Sequence, residues 1–444
     1  MPEEKACYTL TGAAILTLDQ DRSFFPDGML IVEGDRICYV GALDRERIRG
    51  GTISMTGKLI LPGLVNTHAH SGSSLFKSLA DDLFLMDWLE HYMWPAEKFQ
   101  TAQFSQIASA LTHLEFLKNG ITTHADMWIY GESTAAAALQ SGLRSVICPT
   151  VFSRPSTETD DPLARAAAFV EKYRGRENET RIYPGFAPHA VYTCTQETLR
   201  ETAALAKRYG VLLHTHISET REENRACQER LHCSPTQAMQ DAGCFETHVL
   251  AAHCVHMRPQ DYDIFAENSA AVSYNPVSNM KLCSGVMDMT LARSKQVCVS
   301  IGTDGSQSNN SLDLLRDLKS GILLQKVHLE NPSFLPAEEA LRMAVIDGAT
   351  ALGLQHEIGS LEIGKKADLI TFDLNSPEFT PAHMERPENL HSLIVYSACG
   401  SNVCDVFVDG EWLMKDRIPL RVDETQILKE ARQAAAVQLR SNGL

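Results

Sequence analysis

Apolar positions fall in short β-rich runs at both ends of the chain and in a strand-and-helix rhythm between them. At the start, YTLTGAAILTL (8–18), GMLIVEG (28–34) and RICYVG (36–41) read as strands separated by polar turns such as Asp21-Arg22 and Gly34-Asp35. Near the other end, ADLITFDL (367–374), VCDVFVDG (403–410) and EWLMKDRIPL (411–420) repeat that character, so the two ends are expected to pair into one discontinuous β-module. The chain closes on a helix from Asp423, where Asp423 and Gln426 have capping-box spacing and Ile427, Leu428, Ala431, Ala435 and Leu439 form an apolar stripe.

Between the ends, eight apolar runs each finish in a polar or histidine-bearing turn: 59–70, 120–127, 144–151, 181–190, 211–219, 248–256, 270–279 and 297–305. Amphipathic stretches such as 104–120 and 195–210 lie between them, each stopped by a glycine. Strands alternating with helices imply a parallel sheet, and eight units over about 250 residues imply a (β/α)8 barrel. An open doubly wound sheet is the competitor, but no GxGxxG opens the first unit. The expected fold class is therefore α/β: a TIM-type barrel over 59–361, with a small composite β-sandwich domain made from 1–58 and 362–444.

Composition narrows the function classes. The 444 residues are 44% hydrophobic and 22% charged, as in an ordinary globular protein. No run of ~18 uncharged apolar residues occurs, and the first residues lack the basic and apolar regions of a signal peptide. A net charge of −16 disfavours phosphate backbones, so neither nucleic acid nor a membrane is expected as a partner. Twelve dispersed cysteines without a CxxC pair read as reduced thiols, which points to the cytoplasm. A homo-oligomer is expected.

The sixteen histidines acquire meaning from their placement, because eight of them fall at the ends of the expected barrel strands. His68 and His70 close the first strand, His124 and Asp126 the second, and His189 follows the fourth. His214, His216 and Glu219 close the fifth, His253 and His256 the sixth, Asn275 the seventh and Asp304 the eighth. Barrel loops after the strand C-termini build the site, and a side-chain period of two puts His68 and His70 on one side. Any one such histidine is ordinarily a satisfied structural residue. HxH, a later HxxE, another strand-end histidine and a final aspartate together signal a divalent ion. Spacing alone leaves His214 and His216 as rivals for the fifth-strand ligand. Glu219 has a bland alternative too, since THISETREE also reads as a helix start.

NTHAH (66–70), HISE (216–219), AHCVH (252–256) and GTDG (302–305) resemble the amidohydrolase superfamily over nearly the whole chain. The longer stretches 61–97, APHAVYTC (187–194), NPVSNMKLCSG (275–285) and 302–326 resemble its 5′-methylthioadenosine/S-adenosylhomocysteine deaminases. The resemblance implies that His68, His70, His216 and Asp304 hold one divalent ion, zinc being expected, with His214 behind them. The fourth strand end, APHAVY, has no bridging lysine of the kind found in two-metal relatives, which favours a single ion. The implied reaction is hydrolytic deamination at C6 of an adenine nucleoside, giving the inosine analogue and ammonia. In it Asp304 accepts the water proton, His253 orients the nucleophile or stabilises developing charge, and Glu219 protonates the ring nitrogen.

Recognition is also read from the resemblance: Glu97 for ribose hydroxyls, His189 for the nucleoside and Trp88 for packing on the substrate, with Glu219 and Asp304 touching it as well. His124, His256 and Asn275 are supporting residues. Pro149 stands where S-adenosylhomocysteine users can have an arginine, with Arg154 and Arg165 as displaced candidates. Methylthioadenosine, 5′-deoxyadenosine or adenosine is thus at least as suitable as S-adenosylhomocysteine. The competing readings are an amidohydrolase acting on a triazine, guanine or a pterin, and a non-catalytic barrel scaffold. The HxE…PCxxC pattern of cytidine-deaminase-type enzymes is absent.

Overall fold

In the computed structural model, which describes residues 6–97, 100–154 and 160–441, the eight apolar runs become eight parallel strands. They are β1 (Leu64–Ala69), β2 (Ile121–Trp128), β3 (Arg144–Val151), β4 (two pieces, Ile182–Pro184 and Ala187–Pro188), β5 (Leu213–Ile217), β6 (Val249–His253), β7 (Ala271–Tyr274) and β8 (Cys298–Ile301). Every residue of β2 and β3 is buried, as expected of parallel strands covered on both faces. The helices alternate with them: Ala102–Lys118 follows β1, and Gln196–Tyr209 follows β4. The (β/α)8 expectation is borne out.

The ladder runs β4-β3-β2-β1 in one half and β5-β6-β7-β8 in the other. At one seam the Phe186 and His214 N–H groups donate to the carbonyls of Leu212 and Phe186 (both 2.9 Å). At the other, the Asp304 N–H donates to the His68 carbonyl at 3.0 Å, and Thr67 Oγ1 donates to the Ile301 carbonyl at 2.9 Å. Val65, Ala125, Val146, Leu250 and Ala271 fill the barrel interior, and Ala349, Leu352 and Leu354 join them from beneath. The polar strand ends are therefore left for the opposite mouth.

Two expected strands differ in detail. The run 59–70 breaks at Gly63, where a Cβ would lie 2.1 Å from Thr122 Oγ1, so Lys58–Pro62 leaves the barrel. It pairs instead with Leu369–Asp373 (antiparallel) and Cys7–Leu16 (parallel) in an outer sheet. The fourth run breaks at Gly185-Phe186, after Pro184, which has no N–H to offer a ladder, and where a Cβ on Gly185 would lie 2.5 Å from Cys148 Sγ.

The outer sheet has nine strands drawn from both chain ends, with Lys58–Pro62 joining the N-terminal strands to the C-terminal ones. The Tyr8 and Phe407 rings meet at 6.3 Å although two strands lie between theirs, so the sheet curls over Leu10, Ile15, Leu30, Ile60 and Leu369. Arg144, fully buried on β3, fastens the barrel to it: Nε and Nη2 bond Asp368 at 3.1 and 3.0 Å, and Nη2 bonds Asp409 at 2.7 Å. The last helix, Glu424–Ser441, starts with Asp423 accepting from the Gln426 N–H, and it buries Ile427 and Ala431. Among the described residues no helix is long and apolar enough to cross a membrane.

Candidate active site

The end of β1 carries His68 and His70, and each ring is fixed through Nδ1. His70 Nδ1 is 2.7 Å from the Met127 carbonyl, and His216 Nδ1, at the end of β5, is 2.8 Å from the His189 carbonyl. A carbonyl only accepts, so both rings carry their proton on Nδ1 and turn an Nε2 lone pair inward. His68 Nδ1 is 2.9 Å from His214 Nε2, and its Nε2 has no hydrogen-bond partner despite complete burial. Ligand atoms of His68, His70 and His216 lie within 4.8 Å of one another, as do those of His68, His253 and Asp304.

Asp304 follows β8 in a left-handed conformation (φ +61°), which costs energy in a non-glycine residue and recurs at functional sites. Its Oδ1 is 3.3 and 3.2 Å from the Nε2 atoms of His68 and His70. Its remaining lone pairs take hydrogen bonds from the Gly305 N–H, Ser278 Oγ and Ser308 Oγ at 2.7, 2.6 and 2.8 Å. Gly302 lets the strand end approach this closely: a Cβ there would sit 2.5 Å from Asn275 Oδ1 and 2.9 Å from His68 Cβ.

The donor set fits a divalent cation. Burial lowers His68 and, more strongly, His214 and His216, so these imidazoles are neutral, as ligands must be. Burial also acts on His70 and Asp304, yet their mutual attraction raises the histidine and holds the carboxyl well below its ordinary value. That point of the site thus favours positive charge.

His253 ends β6 with φ +73°, and its Nδ1 receives Asn279 Nδ2 at 2.9 Å and Asn275 Nδ2 at 3.5 Å. Ser273 Oγ donates to Asn275 Oδ1, which fixes that amide's orientation. An Nδ1 that accepts keeps the ring proton on Nε2, so His253 is a donor towards the site and a poor ligand. Burial lowers it to about 3, so it stays neutral. Its Nε2 lies 3.7 Å from Glu219 Oε2.

Glu219 is not the cap of the helix Arg221–Leu231; Thr220 takes that part by accepting from the Glu223 N–H. The Glu219 N–H in turn donates to Glu223 Oε2 at 2.7 Å, leaving the Glu219 carboxyl free to face the pocket. Burial raises it well above the usual carboxylate range, and the charges of Asp304 and Glu223 add to the effect. A protonated carboxylic acid beside an ionised aspartate is an acid–base pair.

These groups floor a cavity of about 80 Å³. Trp88, Trp94, Trp128, Phe152 and Tyr192 supply aromatic wall. Trp88 also packs in a local apolar cluster, so core and pocket roles coincide. Glu97 ends the short helix Trp94–Glu97, and burial, partly offset by His70, raises it to about 7. His189 Nδ1 is 3.0 Å from Thr193 Oγ1, and burial lowers it to about 3.

Not every strand-end residue reaches this mouth. His124 turns to the other side of β2, its ring 4.7 Å from that of His113 on the helix Ala102–Lys118. Asp126 faces the same way and accepts from the Ser71 N–H and Thr134 Oγ1. His256 lies beyond β6, with Nε2 2.6 Å from the Ser284 carbonyl. Arg154 is exposed and Arg165 pairs with Asp160; the described pocket wall contains neither lysine nor arginine. Sequence reasoning did not single out Trp94, Trp128, Phe152, Tyr192, Ser278 or Asn279. Ser278 and Asn279 lie inside the NPVSNMKLCSG stretch, Trp94 inside 61–97 and Tyr192 inside APHAVYTC, whereas Trp128 and Phe152 lie in none of the stretches that carry the resemblance.

The model of the amidohydrolase family matches residues 59–413. A 5′-deoxyadenosine deaminase of Methanosarcina acetivorans is 39% identical over 427 residues, covering 96% of this chain and 97% of its own. A 5-methylthioadenosine/S-adenosylhomocysteine deaminase of Desulforudis audaxviator is 39% identical over 411 residues, covering 92% and 94%. Among solved structures, an adenosine deaminase from Xanthomonas campestris with bound zinc superposes with a TM-score of 0.92 at 28% identity, covering 98% of this chain and 99% of that one.

Proposed function

The chain belongs to the amidohydrolase family, and from that premise we propose that it hydrolyses the C6 amino group of an adenine nucleoside to the inosine analogue and ammonia. The relation of Glu219 to His253, 3.7 Å apart beside the convergent ligand atoms of His68, His70 and His216, carries the reading. His68, His70, His216 and Asp304 are the ligands of one divalent ion, taken to be zinc. Bound there, the ion supplies Lewis-acid activation of a water molecule.

The chain's own groups then divide the proton work. Asp304, held ionised, takes the proton of the water that adds to C6. Glu219, held protonated, gives its proton to the ring nitrogen N1, so the negative charge that would build up there is neutralised. His253, neutral with Nε2–H facing inward, donates to the new C6 oxygen. The proton on Asp304 passes to the amino group, the C6–N bond breaks and ammonia leaves, while the C6 hydroxyl becomes the carbonyl and its proton returns to Glu219. Glu97 binds the ribose hydroxyls, and Trp88 and His189 flank the nucleoside.

Two further observations narrow the substrate. The described wall is aromatic and carries no cation to meet an amino-acid carboxylate, and Thr150 and Phe152 stand at the end of β3. We therefore favour 5′-deoxyadenosine and methylthioadenosine over S-adenosylhomocysteine. All twelve cysteines are free thiols, which supports a cytoplasmic setting. A homo-oligomer remains part of the proposal, and light scattering reads it. The deciding experiment is ammonia release by zinc-loaded enzyme from adenine nucleosides, guanine and an aminotriazine. Turnover of the nucleosides is expected; turnover confined to guanine or the triazine overturns the reading.

A further inference from the structure

Three stretches that share nothing in sequence meet at one ammonium group. Lys281 ends the helix Pro276–Lys281, and its Nζ donates to Asp81 Oδ1 at 2.5 Å, Asn310 Oδ1 at 2.5 Å and the Gln307 carbonyl at 3.2 Å. Asn310 adds its own bond to Asp81 Oδ2 at 3.4 Å. The three donors of an ammonium are thereby used on three acceptors. Lys281 is largely buried and bonds the Asp81 carboxyl strongly enough to lower it. Charge-assisted and three-sided, the junction differs from a lone surface ion pair.

Each stretch carries part of the site. The Lys281 helix holds Ser278, which bonds Asp304, and Asn279, which bonds His253. The turn at Gln307 holds Ser308, the other hydroxyl on Asp304. Asp81 belongs to the crossing that leads into Leu85–Glu97, from which Trp88, Trp94 and Glu97 enter the pocket. That crossing is weakly anchored. Ser78 and Asp82 sit at φ +63° and +62°, and Phe84 is 71% exposed. Its apolar contacts form a small cluster of their own around Phe76, Leu85, Trp88 and Leu282, separate from the barrel core. Few core contacts and strained turns are the marks of a segment that opens locally.

We propose that Lys281 is a positioning residue that clamps segment 77–97 to the loops bearing Asp304 and His253, so that Trp88 and Glu97 close over the substrate. The kinetic consequence rests on the nucleoside reading; the structural one does not. Lys281 touches no reacting atom in this scheme. Its loss releases binding groups more than proton-transfer groups, and that predicts a rise in KM larger than the fall in kcat.

The test uses Lys281→Met and Asp81→Ala, singly and together, in zinc-loaded full-length protein. Asp81→Ala removes the clamp from the side away from the catalytic loops, so it separates clamping from damage to them. Each single substitution is expected to raise KM for 5′-deoxyadenosine roughly tenfold, with a smaller fall in kcat. Hydrogen–deuterium exchange over 85–97 should quicken in both, and the double variant should be no worse than either single. Lys281→Arg should recover part of the KM effect. Unchanged exchange and KM in both singles, or effects that multiply in the double variant, would overturn the clamp. If the parent turns over no adenine nucleoside, the functional reading fails on its own. Exchange in the substrate-free protein then still decides, quicker exchange in both singles supporting the clamp and unchanged exchange overturning it.

Discussion

Nδ1 of His68 lies 2.9 Å from Nε2 of His214, so the innermost histidine of the cluster leans on another imidazole, not on a carbonyl. For His68 to offer Nε2, its Nδ1 must carry the proton and donate it to His214. His214 then carries its own proton on Nδ1, an atom with no partner among the described residues.

His214 should therefore act through His68. Replacing it by phenylalanine is expected to weaken metal binding roughly 10–100-fold without changing the stoichiometry at saturation. His216→Ala should cost more, because it removes a proposed ligand. Titration against a competing chelator, with metal content by mass spectrometry, distinguishes the two; a His214 variant that binds no metal at saturation would make His214 the ligand.

Glu219→Gln is expected to retain the metal and lose kcat by ~10²–10⁴, the usual share of a positioned acid. Glu219 is raised and, in the proposed scheme, works in its protonated form, so activity should fall as pH climbs through its elevated pKa. Asp304 is lowered and, in the same scheme, works ionised, so the acid limb should lie below the ordinary carboxylate range. A pH profile of kcat/KM for the parent reads both limbs.

Glu97 carries a cost that the proposed contact with the ribose would explain. Its folded pKa of about 7 lies above the unfolded carboxyl value, so the folded state holds the extra proton between about 4.5 and 7. Over that window, stability from this group is present at low pH and lost as pH rises. Glu97→Gln should thus raise Tm at pH 8, leave it nearly unchanged near pH 4, and raise KM for nucleosides. An equal Tm difference at both pH values would exclude this origin.

Arg144 is a structural case. Arg144→Met leaves Asp368 buried without its cation, while Asp409 keeps Arg181, and is expected to cost about 3–5 kcal/mol. Denaturant unfolding measures it. A loss under about 1 kcal/mol would mean that water reaches the carboxylates.

The barrel was legible because each strand run is apolar on both faces and ends in polar residues, a pattern that parallel strands impose. Its exceptions came from single residues. Gly63 lets the chain cross Thr122 and change sheets, and Gly185, where a Cβ would lie 2.5 Å from Cys148 Sγ, falls in the break of β4. Neither shows in periodicity, since both depend on what lies across the gap.

The sequence by itself determined the strand ends on which His68, His70, His216, Glu219, His253 and Asp304 sit, since order and period two follow from the chain alone. Only the tertiary structure decided which of those ends face the mouth. Asn275 and Asn279 turned His253 into a donor, Thr220 took the helix cap and freed Glu219, and His124 packed against His113. Lys281 likewise became a junction only when Asp81 and Asn310 met it. The reason is physical: a side chain's chemistry is local, but its proton, its pKa and its partner are set by groups that folding brings from far along the chain.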